Sequence, residues 1–156
     1  MRMLAMLLLA AGSVGMSFIQ STQSEEKKAM NVKRVTAVLY VNEIEPSLKF
    51  WVERVGFAAT AEVPDGDKLG FASLQKGTAE VMLQTFASAE KDVAGSSKEF
   101  HGPTFLYVEV DDLEALKAKM QGVKVEIPER TTFYGAREIG YKDPGGHVVL
   151  FAEFKQ

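Results

Sequence analysis

From Asn31 onward the apolar positions change period in a fixed order, and the order then repeats. "VKRVTAVLYV" (Val32–Val41) is dense in β-branched and aromatic residues, which predicts a strand. "EPSLKFWVERVG" follows, with Leu48, Trp51, Val52 and Val55 at helical spacing, Pro46 in the first turn and Gly56 as the stop. That spacing assigns Trp51 to the core behind a sheet rather than to a ligand. Three strands are predicted next, Phe57–Val63, Lys68–Gln75 and Ala79–Thr85, separated by turns at Pro64–Asp67 and Lys76–Gly77.

The second round opens with "PTFLYVEV" as a strand and "DDLEALKAKMQG" as a helix. Asp111 and Glu114 stand at capping-box spacing, Leu113, Leu116 and Met120 form the apolar stripe, and Gly122 is the stop. "VKVEI", "GAREIGY" and "HVVLFAEF" supply three shorter strands. The tripeptide Leu-Tyr-Val occurs in both opening strands, at Leu39–Val41 and Leu106–Val108.

The expectation is an α+β fold of two βαβββ modules, residues 31–86 and 103–156, pairing into curved sheets around a cleft. Either module alone leaves a sheet face open, and pairing them is the physical reason for the duplication. Residues 87–102 have the Ser, Gly, Lys and Glu content of a linker.

Residues 1–28 are built differently. Arg2 precedes an apolar run from Met3 to about Ala11, then small residues, then a polar stretch. This order predicts a signal peptide, cleaved after Gly12 or Gly15, and export to a periplasmic or extracellular space. The run is too short for stable membrane insertion. The competing reading starts translation at Met30 and leaves the protein in the cytoplasm.

Composition narrows the chemistry. The chain has no cysteine, which removes thiol nucleophiles, disulfides and thiolate metal sites together. A net charge of −3 without a Lys/Arg cluster gives no electrostatic footprint for nucleic acid, and a cationic small ligand suits that balance better.

"LYVNEIEPSLKFWVERVGF" (Leu39–Phe57), "YVEVDDLEAL" (Tyr107–Leu116) and "YKDPGGHVVLFAEF" (Tyr141–Phe154) resemble, in this order and spacing, the vicinal-oxygen-chelate superfamily. That superfamily includes glyoxalases, extradiol dioxygenases and bleomycin-resistance proteins. The resemblance covers Val32 to Phe154 and implies the paired-module fold. It also implies a divalent metal held by one ligand from each of four strands. Carried onto this chain, those positions fall on Thr36, Met82, Phe105 (or Pro103, if the repeated tripeptide sets the register) and Leu150. Phe, Pro and Leu cannot ligate a hard cation.

The expectation is therefore a small-molecule-binding protein without the family metal and without a cofactor, akin to the antibiotic-sequestering, bleomycin-resistance members. These are dimers whose clefts are lined by aromatic and acidic groups, which implies a homodimer and a cationic or aromatic ligand here. No catalytic residue is assigned. Thr36, Glu80, Met82, Gln84, Phe105, Tyr107, Tyr134, Arg137 and Leu150 are the expected ligand-binding residues. The alternative is a metal-dependent lyase or dioxygenase that recruits a divalent ion to Glu80, His101 and His147, with Gln84 as a further donor. For His147 alone, a turn-capping or surface role is the expectation. Glu153 lies an odd number of positions from Leu150, so it points to the opposite face of the strand and cannot replace it.

Overall fold

The computed structural model describes residues 33–96 and 102–154. The predicted signal peptide, most of "GSSKEFH" and with it His101 lie outside the described residues. From Arg34 onward the described residues form one compact unit.

The first module runs β1 (Ala37–Val41), α1 (Ile44–Lys49), β2 (Ala58–Asp65), β3 (Lys68–Lys76) and β4 (Ala79–Thr85). After α2 (Phe86–Asp92) the second module repeats it: β5 (Phe105–Glu109), α3 (Leu113–Lys119), β6 (Val125–Thr131), β7 (Ala136–Lys142) and β8 (Val148–Phe154). Each module makes a four-stranded sheet, in the orders β1-β4-β3-β2 and β5-β8-β7-β6. In both, the first and last strands of the module are parallel and the rest antiparallel. The two βαβββ modules are thus present as the sequence predicts.

Three local departures have physical reasons. Helix α1 does not stop at Lys49 but continues as a π-helical stretch, Phe50–Val55. The wider turn changes which residues face inward. Ile44, Ser47, Phe50, Trp51 and Val55 are buried, whereas Leu48 and Val52 only flank the core. Gly56 ends the stretch at φ 85°, a left-handed conformation suited to glycine, and the Phe57 amide returns to the Trp51 carbonyl at 3.0 Å.

The second departure is α2, inside the stretch expected to be linker. Thr85 caps it by accepting a hydrogen bond from the Ser88 amide at 3.0 Å. The third is the cap of α3, which is Asp112 rather than Asp111. Asp112 Oδ1 accepts from the Ala115 amide at 2.8 Å.

One apolar core runs through both modules, from Leu39, Val41, Trp51 and Leu83 to Leu113, Tyr141, Val149 and Phe151. Polar joints fix the modules to each other around it. Arg54 Nη1 donates to the carbonyls of Lys119 (2.6 Å) and Gln121 (2.9 Å) at the end of α3. Trp51 Nε1 donates to Asp143 Oδ2 at 3.3 Å, and His147 Nε2 lies 3.0 Å from the Tyr40 carbonyl.

Two of those joints come from the Asp-Pro-Gly-Gly turn. A Cβ on Gly145 would sit 2.5 Å from Val41 Cγ1, so only glycine lets this turn close onto β1. Asp143 Oδ1 accepts the His147 amide at 2.9 Å and holds the turn shut.

Candidate functional site

Each sheet packs one face on the helices and leaves the other open. Strand alternation places Val38 and Tyr40 of β1 and Glu80, Met82 and Gln84 of β4 on the open face of the first sheet. On the second it places Phe105 and Tyr107 of β5, Glu138 of β7 and Leu150 of β8. The ladder confirms these neighbours: Val38 pairs with Met82, Tyr107 with Leu150, Glu138 with Ala152.

On the first sheet the polar centre is Glu80. It accepts hydrogen bonds from Thr36 Oγ1 (2.6 Å), Arg34 Nη1 (2.8 Å) and Ser73 Oγ (3.3 Å). The Thr36 hydroxyl, helped by the Arg34 guanidinium, holds its carboxyl below the usual glutamate value. Met82 lies beside it on the same strand face. Gln84 is committed elsewhere, its Nε2 donating to Asp92 Oδ2 of α2 at 2.7 Å.

On the second sheet the polar centre is Glu138, which the sequence reading did not single out. Its side chain is fully buried. Arg130 donates to Oε2 through Nε (3.0 Å) and Nη2 (2.9 Å), and the Tyr134 hydroxyl donates to Oε1. Burial opposes the charge, but the hydrogen bonds from Tyr134 and Arg130 outweigh it and keep the carboxyl below its usual value. Tyr107 lies near enough to feel this group's charge. Burial first, then Tyr134 and the Glu138 charge, push the Tyr107 phenol up, while the Glu138 hydrogen bond does the same to Tyr134. Both phenols therefore stay protonated donors through neutral pH.

The two rings beside this carboxylate are open to solvent, Tyr107 at 47% and Tyr134 at 49% exposed, and Phe105 (57%) lies two positions before Tyr107 on the same face of β5. Tyr134 also contacts Phe133 and Phe154, with ring centroids 5.1 and 6.3 Å apart. Where the β1 and β5 edges meet, Glu80 and Tyr107 line one cavity of about 330 Å³, walled by Ala37, Phe57, Leu106 and Val108. Residues from both modules thus share one concavity.

Arg137 is a correction. It was expected at the ligand cleft, but neighbouring side chains on a strand point to opposite faces, and Glu138 occupies the open one. Arg137 instead joins Glu114 (2.5 Å), Glu129 (2.6 Å) and Glu153 (3.3 Å) on the helix side, and those carboxylates raise its already high pKa. Glu153 lies on that opposite face as expected, where it also accepts the Leu113 amide of α3 at 3.1 Å. The antiparallel pairing of β7 with β8 is what puts Leu150 and Glu138 on one face.

His147, expected to cap a turn or lie at the surface and held in reserve as a metal ligand, is 2% exposed with both ring nitrogens in use. Nδ1 accepts the Thr104 amide at 3.0 Å, which puts the proton on Nε2, facing the Tyr40 carbonyl. It ties the second module to β1 and has no lone pair left for a metal.

Val41 precedes α1 by the same interval as Val110 precedes α3. Counted back from these valines, Thr36 matches Phe105, and Pro103 lies before the strand. Leu150 is 4% exposed and apolar, Met82 and Phe105 offer no hard donor, and the Thr36 hydroxyl is spent on Glu80. This donor set does not fit a divalent cation. Among the described residues no group of three or more His, Asp or Glu is placed to hold a metal.

Comparison with known proteins agrees with this fold. No curated protein sequence matches the chain. Among solved structures it is similar to TnmS3, an antibiotic binding protein from Streptomyces sp. CB03234 (24% identity, TM-score 0.62, covering 81% of this chain and 100% of that one). A lactoylglutathione lyase from Agrobacterium tumefaciens is similar at 16% identity and TM-score 0.64, covering 79% and 95% of the two chains. The bleomycin-binding protein of Streptomyces verticillus, solved with copper(II)-bleomycin, is similar at 20% identity and TM-score 0.54, covering 82% and 100%. Residues 33–151 match the model of the Glyoxalase/Bleomycin resistance protein/Dioxygenase superfamily, and the chain belongs to that family.

Proposed function

We propose that this protein binds a small aromatic, cationic molecule on its open sheet faces, without the family's divalent metal and without a cofactor. One observation carries the reading. The strand positions that would supply metal donors carry Met82, Phe105 and Leu150, while the exposed rings of Tyr107 and Tyr134 stand beside one held carboxylate, Glu138, and Tyr107 shares a cavity with a second, Glu80.

Rings supply stacking and cation–π attraction, and a carboxylate kept ionised supplies the countercharge. Tyr107, Tyr134 and Phe105 would stack on the ligand. Glu138 would take its positive group, with Arg130, 57% exposed at its side chain, free to swing aside into water. Arg130 already shows that the Glu138 carboxylate accepts a planar cation side-on. The antibiotic-binding relatives support the class of ligand. We propose a homodimer, because Phe133 (100% exposed), Tyr134 and Phe154 form an aromatic cluster that a second copy would cover. Among the described residues no helix is long and apolar enough to cross a membrane.

The test is a thermal-shift screen of chelator-treated protein against glycopeptide antibiotics, α-oxoaldehyde–thiol adducts, catechols and divalent metals. A ligand at a hundred times its Kd adds roughly 2.7 kcal/mol to the native state and raises Tm by several degrees. The expected result is a shift with cationic aromatic compounds and none with metals. A shift with a metal alone, accompanied by turnover of a thiol adduct or catechol, would favour a lyase or dioxygenase instead.

A further inference from the structure

A second concavity, of about 260 Å³, lies where the π-helical turn meets the turn between β7 and β8. Lys49, Arg54 and Lys142 provide its charge, and Phe50, Val123 and Pro144 are among its apolar walls. None of them belongs to the open-face site.

The π turn is what assembles it. In an α-helix a residue five positions on lies roughly 140° around the axis. In a π turn, bonded i to i+5, the wider winding brings it round to the same side of the helix. Lys49 and Arg54 stand five apart with Phe50 between them, so the wide turn brings both cations and an aromatic ring to one mouth. π-helical turns are common at functional sites.

The charge there is largely unspent. Lys49 is exposed and has no hydrogen-bond or ion-pair partner among the described residues. Arg54 uses Nη1 on two carbonyls, which leaves Nε and Nη2 available. Lys142 shares Glu126 at 3.3 Å with Lys124, an exposed surface pair that an anion can displace. The only carboxylate in the lining, Asp143, is directed inward to Trp51 Nε1 and the His147 amide. The concavity therefore presents three cations and apolar walls with no accessible counter-charge of its own.

We propose that this pocket binds a small anion carrying a flat apolar group, a phosphate monoester or a carboxylate on an aromatic ring. The anion would sit among Lys49, Arg54 and Lys142, and the ring against Phe50, Val123 and Pro144. The site is independent of the open-face ligand.

Phenyl phosphate is the probe, titrated into the full chain and followed by amide NMR and by the emission of Trp51, the single tryptophan. Shifts should concentrate in Lys49–Val55 and Tyr141–Asp143. Charged hydrogen bonds are worth enough that Lys49→Glu with Lys142→Glu should weaken binding at least tenfold, roughly. Inorganic phosphate, which lacks the ring, should bind about tenfold more weakly. Glu138→Gln should leave this affinity unchanged. An undisturbed spectrum at millimolar phenyl phosphate, equal binding by the double variant, or equal affinity for inorganic phosphate would each overturn the assignment.

Discussion

Replacing Asp143 with alanine should lower the unfolding free energy by about 2–3 kcal/mol, one of the two largest effects expected from a single polar substitution. Asp143 is 3% exposed and satisfies two donors in the interior, the Trp51 indole and the His147 amide. Alanine leaves both without an acceptor, and an unmet buried donor costs about 1–3 kcal/mol. Relief of the cost of burying the carboxylate offsets part of this. Denaturant unfolding followed by Trp51 emission measures the loss. Asn, which keeps one oxygen in place, should cost less than Ala.

The pH dependence of that loss has a definite sign. Burial pushes the Asp143 carboxyl above its ordinary value of 3.8, against the backbone hydrogen bond from His147. The unfolded chain then releases the proton more readily than the folded one. This contribution favours the native state most below pH 3.8 and declines as pH rises through the folded-state value. The deficit of Asp143→Ala relative to the wild type should therefore widen as the solution is acidified toward pH 4. A deficit that narrowed would show the carboxylate to be stabilised by its site rather than strained in it.

Replacing Glu138 with glutamine should weaken binding of a cationic aromatic ligand at least tenfold, roughly the loss of one charge-assisted hydrogen bond. Glutamine preserves shape and can still accept from Tyr134, so the substitution tests charge rather than packing. Arg130→Gln should act in the opposite direction and tighten binding, because the ligand no longer competes with an internal guanidinium. Titration calorimetry on both variants separates this from a general loss of structure, which would weaken both. The folded-state carboxyl of Glu138 is held low, so its contribution to stability is present above about pH 4.5 and is lost as pH falls through the lowered value. Glu138→Gln should accordingly flatten the acid side of the stability profile.

How much of this could be read from the chain differs from element to element. Strands β1, β4 and β8 and the stripe of α3 were legible because their apolar residues keep a clean period. The π turn was not. Leu48, Val52 and Val55 satisfy a 3.6-residue template as well as the buried set does, and nothing local marks the widening. Helix α2 was hidden by composition, since Ser, Ala, Glu and Lys suit an exposed helix and a linker alike.

At the site, the family resemblance supplied the positions of Thr36 and Leu150, and strand phase around such positions supplied Glu80 and Tyr107. Glu138 was not recognised because Arg137, beside it, is the more conspicuous residue. Only the pairing of β7 with β8 reveals that Arg137 faces three carboxylates and Glu138 the open side. The role of His147 depends on a contact with Tyr40, more than a hundred residues away, which no local pattern encodes. The Asp-Pro-Gly-Gly turn serves as a joint between the modules, and Leu150 fills the fourth of the positions that the family resemblance marks for a metal ligand.

The most direct measurement of the central claim is the metal content of the purified chain, determined by elemental analysis after incubation with excess zinc, nickel, iron(II) and manganese followed by desalting. With Met82, Phe105 and Leu150 at the ligand positions, well under one-tenth of an equivalent of any divalent metal is expected to remain, roughly the background of adventitious surface binding. One tightly held divalent ion per chain would contradict the account.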